Sequence, residues 1–284
     1  MHAAIFLWGF TGILGKLITL NEGLLVWYRL IISGIIMWII AGRKNKVGQL
    51  SLKEILKIGG VGVIVMIHWV TFYGAIKVSS VSVTLICLSS IALFTSIFEP
   101  IIAKTKFDYI EIFFAALAMA GIYTIYHSDN STATGILIAV FSSAASALFS
   151  VLNKQLTSKY NSHTISSVEL GSAFVSLSVL LPFYLPMFNH SFSCPGTADL
   201  IYLFLLSFFC TVIPWLLSLS ALKHVTAFTQ NLALNLEPVY GIILAIIVVK
   251  EYELLNSGFY IGAFIILMTV LLHTFYRYRK TNLA

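Results

Sequence analysis

Two stretches of equal length decide the fold: KVSSVSVTLICLSSIALFTSIFEPIIAK at residues 77–104 and KHVTAFTQNLALNLEPVYGIILAIIVVK at residues 223–250. Each stretch begins and ends with lysine, and the second follows the first by 146 positions. A helix of about 20 mainly apolar residues spans the hydrocarbon core of a bilayer. Backbone polar groups in lipid must be paired within one segment, which favours helices for such long apolar runs. Both stretches therefore predict membrane-spanning helices.

The composition of the whole chain agrees with this interpretation. Of 284 residues, 59 % are hydrophobic and 10 % are charged, and the mean hydropathy is +0.95. Soluble proteins carry about 25 % charged residues, so a soluble enzyme, a nucleic-acid binder and a disordered scaffold are excluded. Three cysteines are too few for a disulfide framework. The first apolar stretch has no basic segment before it and no small-residue cleavage site, so we expect no cleavable signal peptide.

Ten apolar runs are long enough to be membrane spans, and short polar breaks separate them. Their bounds are approximate, as is usual for sequence-based assignments. The predicted fold class is therefore an all-α membrane protein with ten transmembrane helices, at residues 3–20, 24–42, 55–76, 80–103, 109–127, 135–152, 164–186, 199–222, 225–249 and 256–276.

The distribution of lysine and arginine predicts the orientation of these helices, because basic residues concentrate in cytoplasmic loops. With the N-terminus in the cytoplasm, 13 of the 17 basic residues lie in inside loops or in the tail. Only Lys77 and Lys250 lie outside, while Lys16 and Arg29 lie within helices. We therefore expect both termini to be cytoplasmic, which requires an even number of spans.

The two halves of the chain share an internal repeat at a constant offset of 146 positions, with Lys16 and Lys154 matching at 138. A simple tendency of helix ends to attract lysine and histidine is the alternative explanation. Five helices in each half give the halves opposite orientations, which is typical of secondary transporters with a mid-membrane site between the halves. The predicted units are residues 1–127, 135–276 and a basic tail at 277–284. The matched pairs are Trp69 and Trp215, Ala75 and Ala221, Lys77 and Lys223, Lys104 and Lys250, and His127 and His273.

An ordered set of short motifs resembles the EamA-like family of the drug/metabolite transporter superfamily. The set comprises FLWGF at 6–10 with Lys16, Arg29, Gly74–Ala75, Ala221, LEPV at 236–239, and Gly258 with Gly262. The sequence departs from the family pattern at Ala92, which lies opposite Pro238, and at Thr105, which lies opposite Glu251. The resemblance implies two inverted five-helix bundles around a central cavity. It also implies transport of small metabolites, often export of amino acids or drugs, in a bacterial plasma membrane.

The main candidate for a functional residue is Glu237, midway along the ninth predicted helix and followed by Pro238. An ionisable residue at the centre of a membrane helix costs about 2.5–3.5 kcal/mol on insertion scales. Glu237 would bind a substrate amine or carry a proton, or else it is a neutral packing residue. The nearby Gln230, Asn231 and Asn235 fall on the same half of the helix and predict a polar cavity wall.

Two further charges lie at matching places in the two halves, Arg29 in the second helix and Glu169 in the seventh. Arg29 would extend to the outer surface, neutralise a partner, or act as a structural anchor. We treat Arg29 and Glu169 as structural or coupling charges.

Aromatic residues and one histidine complete the predicted cavity lining. Trp8, Trp69 and Trp215 lie within helices rather than at the membrane interfaces, where tryptophan is usually enriched. Such rings stack on flat or cationic substrates. His68 and Tyr73 share a helix with Trp69. His68 either binds a proton near neutral pH or forms structural hydrogen bonds within the protein. Glu99 and Pro100, near the inner end of the fourth helix, predict an interface residue and a helix distortion.

Motifs of other chemistries are missing from the sequence. No phosphate-binding glycine-rich loop, metalloprotease motif, nucleophile elbow or CxxC pair occurs, so we expect no enzyme activity, cofactor or bound metal. The expected partners are a small-molecule substrate and the lipid bilayer, with protons as the candidate coupling ion and no nucleic acid. A lipid-headgroup flippase on the same fold is the alternative function, and both a monomer and a homodimer remain open.

Overall fold

The computed structural model describes residues 1–44, 46–128, 133–234, 236–253 and 255–282. All regular secondary structure in these ranges is helical. No strand occurs in these ranges. The α-helices are α1 (His2–Gly9), α2 (Thr11–Leu17), α3 (Glu22–Ala41), α4 (Leu52–Val78), α5 (Val81–Leu88), α6 (Ile91–Ala103), α7 (Tyr109–Ser128), α8 (Ala133–Thr157), α9 (Ser162–Met187), α10 (Thr197–Ser207), α11 (Ile213–Leu222), α12 (Ala227–Leu234), α13 (Glu237–Val249) and α14 (Ser257–Asn282).

Among these residues, seven helical segments are long and apolar enough to cross a membrane, and three shorter segments are also apolar. Large hydrophobic side chains such as Ile39 and Phe183 are about three-quarters exposed, as expected for surfaces that face lipid. The chain is therefore a multi-pass membrane protein. The seven longer segments are Glu22–Ala41, Leu52–Val78, Val81–Ala103, Tyr109–Ser128, Ala133–Thr157, Ser162–Met187 and Thr197–Leu222; the shorter ones are His2–Leu17, Glu237–Val249 and Ser257–His273.

Two of the predicted spans are broken helices rather than continuous ones. The predicted helix 80–103 divides into α5 and α6 at Ser89 and Ser90, and the predicted helix 225–249 divides into α12 and α13. The bounds of α5 and α6 differ from those of α12 and α13 by 146 positions at every end. The residue that follows each of α6 and α13 has a left-handed backbone conformation. It is Lys104 after α6 and Lys250 after α13. The two segments thus have the same local structure.

The break between α12 and α13 lies just before Glu237. Glu237 is the first residue of α13, and Pro238 occupies the first turn. Proline is tolerated there because its missing N–H would have no partner within the helix. The corresponding break between α5 and α6 forms without proline, since Ala92 occupies that place.

Two carboxylates hold the starts of the broken helices from the opposite half of the chain. Glu251 accepts hydrogen bonds from the backbone N–H groups of Val81 and Ser82, both at 2.8 Å. Glu99 accepts them from Ala227 at 3.2 Å and from Phe228 at 2.8 Å. A carboxylate is favourable at a helix N-terminus, where N–H groups lack helical partners. Glu99 thus joins α6 to α12.

Two other elements differ from their predicted form. Helix α8 continues to Thr157, so Asn153 belongs to a helix and not to the predicted loop at 153–163. The span from α10 to α11 contains one π-helical turn at Phe208–Val212. The π turn directs the Thr211 hydroxyl to the carbonyl oxygen of Leu206, 2.8 Å away. Single π turns inside α-helices often lie at functional sites.

Helices α7 and α14 cross at a pair of glycines. A Cβ atom at Gly262 would lie 2.5 Å from the carbonyl oxygen of Gly121, and one at Gly121 would lie 2.9 Å from the carbonyl oxygen of Gly262. Small residues let membrane helices approach this closely, which increases their van der Waals contact. The family-like Gly262 therefore has a packing role.

We expect Gly262→Ala to lower the melting temperature of the purified protein. An added methyl group forces the α7 and α14 backbones apart, and overpacking of this kind costs about 1–3 kcal/mol. The matched control is Gly60→Ala, because no atom lies within 4 Å of a Cβ atom there. Thermal unfolding in detergent, followed by tryptophan fluorescence, compares the two variants. Equal melting temperatures would contradict the role of the glycine crossing.

Candidate functional site

A central cavity lies between helices from both halves of the chain. Its walls combine aromatic rings, aliphatic side chains, hydroxyl and amide groups, one arginine and one glutamate. The lining residues are Trp8, Thr11, Arg29, His68, Trp69, Phe72, Leu88, Ile91, Ser146, Phe149, Ser150, Asn153, Trp215, Ser218, Leu219, Leu222, Gln230, Asn231, Leu234 and Glu237.

Arg29 is almost completely buried at this cavity and is held by uncharged groups. Its Nε donates to the Thr211 hydroxyl at 2.8 Å, and its Nη1 donates to the Tyr73 hydroxyl at 2.9 Å. The guanidinium carbon lies 3.8 Å from the centre of the Trp69 ring, a cation–π geometry. Thr211 belongs to the π-helical turn between α10 and α11, so that irregular turn serves to hold the arginine.

No carboxylate of the described residues forms an ion pair with Arg29. The ion pair found among them, between His190 and Glu22, lies outside the cavity lining. Glu237 lines the same cavity as Arg29, and its carboxylate makes no hydrogen bond to another described residue. A buried charge is costly unless it is compensated, so both side chains are available to polar groups of a ligand in the cavity.

Glu169 lies behind the cavity wall and is fully buried. Its Oε2 accepts a hydrogen bond from the indole N–H of Trp215 at 3.1 Å. The Trp215 ring contacts the Trp69 ring edge to face, with 5.7 Å between the ring centres. Trp69 in turn covers Arg29. The two charges that occupy matching places in the sequence are thus joined through two tryptophans that also match.

Several buried oxygen atoms around the cavity have no hydrogen-bond partner among the described residues. They include Oδ1 of Asn153, Oε1 of Gln230, Oγ1 of Thr11 and Oε1 of Glu169. The first three belong to residues that line the cavity. Buried polar atoms normally have partners, so these acceptors are available to water or to donors of a bound ligand.

Two predicted residues also have clear structural bonds. His68 Nδ1 lies 2.8 Å from the Ser142 hydroxyl and 3.0 Å from its carbonyl oxygen. Asn231 donates to the Thr95 hydroxyl at 2.7 Å and accepts from the Ser150 hydroxyl at 3.1 Å. His68 therefore joins α4 to α8, and Asn231 joins α12 to α6 and α8. Their ring and amide face the cavity as fixed parts of its wall.

Polar contacts join the helix ends on one side of the cavity. The backbone N–H and hydroxyl of Thr19 donate to the two carboxylate oxygens of Asp199, at 2.8 and 2.7 Å. The Lys77 ammonium group donates to the carbonyl oxygen of Ile18 at 2.6 Å. We call Ile18, Thr19, Lys77 and Asp199 the polar seal. None of the four seal residues lines the cavity. The cavity lining instead includes Asn153 and Leu222, near the C-terminal ends of α8 and α11.

The structure brings eight of the eleven predicted site residues to the cavity. Tyr73 and Glu169 lie one layer behind it, and Asn235 lies outside the described residues. Sequence reasoning missed Thr11, Asn153 and Thr211. Asn153 is followed by Lys154, and a polar pair of this kind is typical of the end of a helix. The sequence therefore placed Asn153 in a loop. The eight are Trp8, Arg29, His68, Trp69, Trp215, Gln230, Asn231 and Glu237.

Comparisons with known proteins agree with this architecture. The sequence profile of the EamA-like transporter family matches residues 1–127 and 133–275. One solved crystal structure is similar with a TM-score of 0.71 and 14 % identity, over 98 % of this chain and 96 % of that one. At this identity the likeness shows the fold alone. No curated protein matches the sequence.

We expect Tyr73→Phe to destabilise the protein although the ring stays in place. The change leaves a buried N–H of Arg29 without its acceptor, which costs about 1–3 kcal/mol. The expected fall in melting temperature is about 2–4 °C for each kcal/mol. Tyr123→Phe is the control because Tyr123 is 63 % exposed. If the two variants melt at the same temperature, the Tyr73 hydroxyl does not support Arg29.

Proposed function

Because the chain belongs to the EamA-like transporter family, we propose that it is a secondary transporter that exports amino acids or similar small zwitterions. The observation that carries this proposal is that Arg29 and Glu237 line one cavity without an ion pair between them. Arg29 supplies the positive charge for a substrate carboxylate. Glu237 supplies the oxygen atoms for a substrate ammonium group, or carries a proton in its place.

The remainder of the wall suits an apolar substrate side chain. Phe72, Leu88, Ile91 and Phe149 face the cavity. One face of Trp69 is covered by Arg29, so Trp69 positions the arginine. A substrate with its charged groups toward Arg29 and Glu237 would bury its side chain against the aliphatic and phenyl groups. Burial of such groups contributes about 25 cal/mol per Å².

We further propose that ten spans form two inverted five-helix repeats that alternate access to the cavity. Three observations support this arrangement: the equal bounds of the broken helices, the contact of Trp69 with Trp215, and matching N-caps at Asn21 and Asn161. Matching residues that touch each other lie close to a symmetry axis. With the polar seal formed, the cavity opens toward the ends of α8 and α11 in this conformation.

The proposed location is the plasma membrane, with both termini in the cytoplasm. The concentration of 13 of the 17 basic residues in the inside loops and tail supports this orientation. The seal at Thr19 and Asp199 then lies on the outer side. The proposed driving force is a gradient of substrate or protons, since a ligand shifts a conformational equilibrium only through its differential contacts in the two states.

We expect the native Cys194 to react with a membrane-impermeant maleimide in intact cells. Cys194 is exposed, whereas Cys87 and Cys210 are buried. A variant with Cys194→Ser and Ser158→Cys should react only after the cells are opened, because α9 alone separates these two positions. Labelling of both positions in intact cells would contradict the proposed topology.

We expect Glu237→Gln to fold normally and to lose amino-acid transport, or to lose its pH dependence. The amide keeps the size and hydrogen bonding of the side chain but can neither titrate nor balance an ammonium group. Proteoliposomes loaded with a mixture of labelled amino acids and metabolites, without ATP, measure efflux along imposed substrate or proton gradients. Glu253→Gln is the control, since Glu253 is exposed.

Two outcomes would contradict the proposed function. Wild-type efflux and an unchanged pH profile in Glu237→Gln would assign Glu237 to packing. Strict dependence of wild-type efflux on ATP, with both gradients clamped, would exclude a secondary transporter.

A further inference from the structure

A second pocket lies beside the central cavity, at the end of α8 and the start of α9. It is open to the surface and is lined by Lys154, Thr157, Ser158, Lys159, Tyr160, Asn161 and Lys223. Three of its seven lining residues are lysines, and the others carry hydroxyl or amide groups. We call it the lysine pocket.

The positive charge of the lysine pocket is not balanced by the described residues. Lys154 donates to the carbonyl oxygen of Leu222 at 2.6 Å, while Lys159 and Lys223 form no ion pair with a described carboxylate. Glu54 contacts the pocket wall by accepting a hydrogen bond from the Tyr160 hydroxyl at 2.8 Å, and it also binds Ser51. Several positive charges on a concave surface attract anions, because the low-dielectric walls concentrate the electric field.

The polar seal at the other end of the molecule can be compared with the lysine pocket. By the offsets of 138 and 146, Thr19 corresponds to Thr157 and Lys77 to Lys223. In the seal, Asp199 accepts two hydrogen bonds from Thr19. Asp199 is the third residue of α10 and corresponds to Glu54, the third residue of α4, which binds Tyr160 and Ser51 instead. The Thr157 hydroxyl bonds the carbonyl oxygen of Lys154 at 2.9 Å, so the carboxylate bond of the seal has no equivalent at Thr157.

We propose that the lysine pocket binds a phosphate group, supplied by an anionic phospholipid headgroup or by a soluble phosphate compound. A phosphate monoester carries up to two negative charges and several acceptor oxygens, which match three ammonium groups and neighbouring hydroxyls better than one carboxylate does. The bound group would join the end of α8 to Lys223, the residue after α11. This site lies outside the proposed transport cavity, although Asn153 and Leu222 separate the two by a single layer.

The test measures thermal unfolding of the full-length protein in two arms. In the first arm, phosphate is added to protein in phosphatidylcholine nanodiscs, with chloride at equal ionic strength as the reference. In the second arm, part of the phosphatidylcholine is replaced by phosphatidylglycerol. A ligand at about 100 times its Kd should raise the melting temperature by about 5 °C. A rise in the first arm identifies soluble phosphate, and a rise only in the second identifies a lipid headgroup.

The double variant Lys159→Gln with Lys223→Gln should lose the rise in either arm. The control Lys57→Gln with Lys106→Gln removes the same charge from exposed positions outside the pocket and should keep it. Lys159→Glu alone is a second variant with the same expected loss, because Lys159 is exposed and its replacement disturbs no hydrogen bond of the described residues. No rise in either arm, or equal rises in the pocket variants and the control, would overturn the proposal. The readout is the melting temperature and does not involve transport. The phosphate proposal can therefore fail while the proposed function stands, and the proposed function can fail while phosphate binding stands.

Discussion

The site depends on one buried guanidinium group. Arg29 is 2 % exposed and is bonded to Thr211 and Tyr73, yet no described carboxylate neutralises it. A protein that buries a charge in this way must hold it with dipoles and aromatic rings, since the desolvation of an ion is costly. The π-helical turn at Phe208–Val212 and the Trp69 ring provide this support. Helices from both halves of the chain are therefore arranged around one cation beside the cavity.

The broken helices explain how polar side chains reach the middle of a membrane protein. A continuous helix bonds its own backbone, whereas a break frees N–H and C=O groups that need partners or a cavity. The starts of the same spans, away from the breaks, are bound by Glu251 and Glu99, each of which accepts from two backbone N–H groups in the other half. Each carboxylate lies in or just after one span and binds the start of another, so the spans are fixed to each other by charge-assisted hydrogen bonds.

Much of the fold could be predicted from the sequence, because lipid imposes a length and a polarity on every span. The apolar runs and the offset of 146 located the helices, and costly polar residues within them located Arg29 and Glu237. The break between α5 and α6 could not be predicted, since Ser89 and Ser90 are also compatible with a continuous helix. Thr211 and Asn153 were missed for a related reason. Hydroxyl groups commonly bond their own helix, and an asparagine before lysine is typical of a helix end, so only three-dimensional neighbours distinguish the roles.

The contacts that join the helix ends are unequal at the two ends of the molecule. At the end with the polar seal, Asp199 and Lys77 bind backbone and hydroxyl groups of residues 18 and 19. At the other end, Lys154 makes a similar bond to Leu222, but Glu54, which occupies the place of Asp199, binds Tyr160 and Ser51. A ligand shifts a conformational equilibrium only as far as it contacts one state better than the other. In the alternating access that we propose, the end where no carboxylate binds the matching Thr157 is therefore the end whose closure a bound anion would affect more.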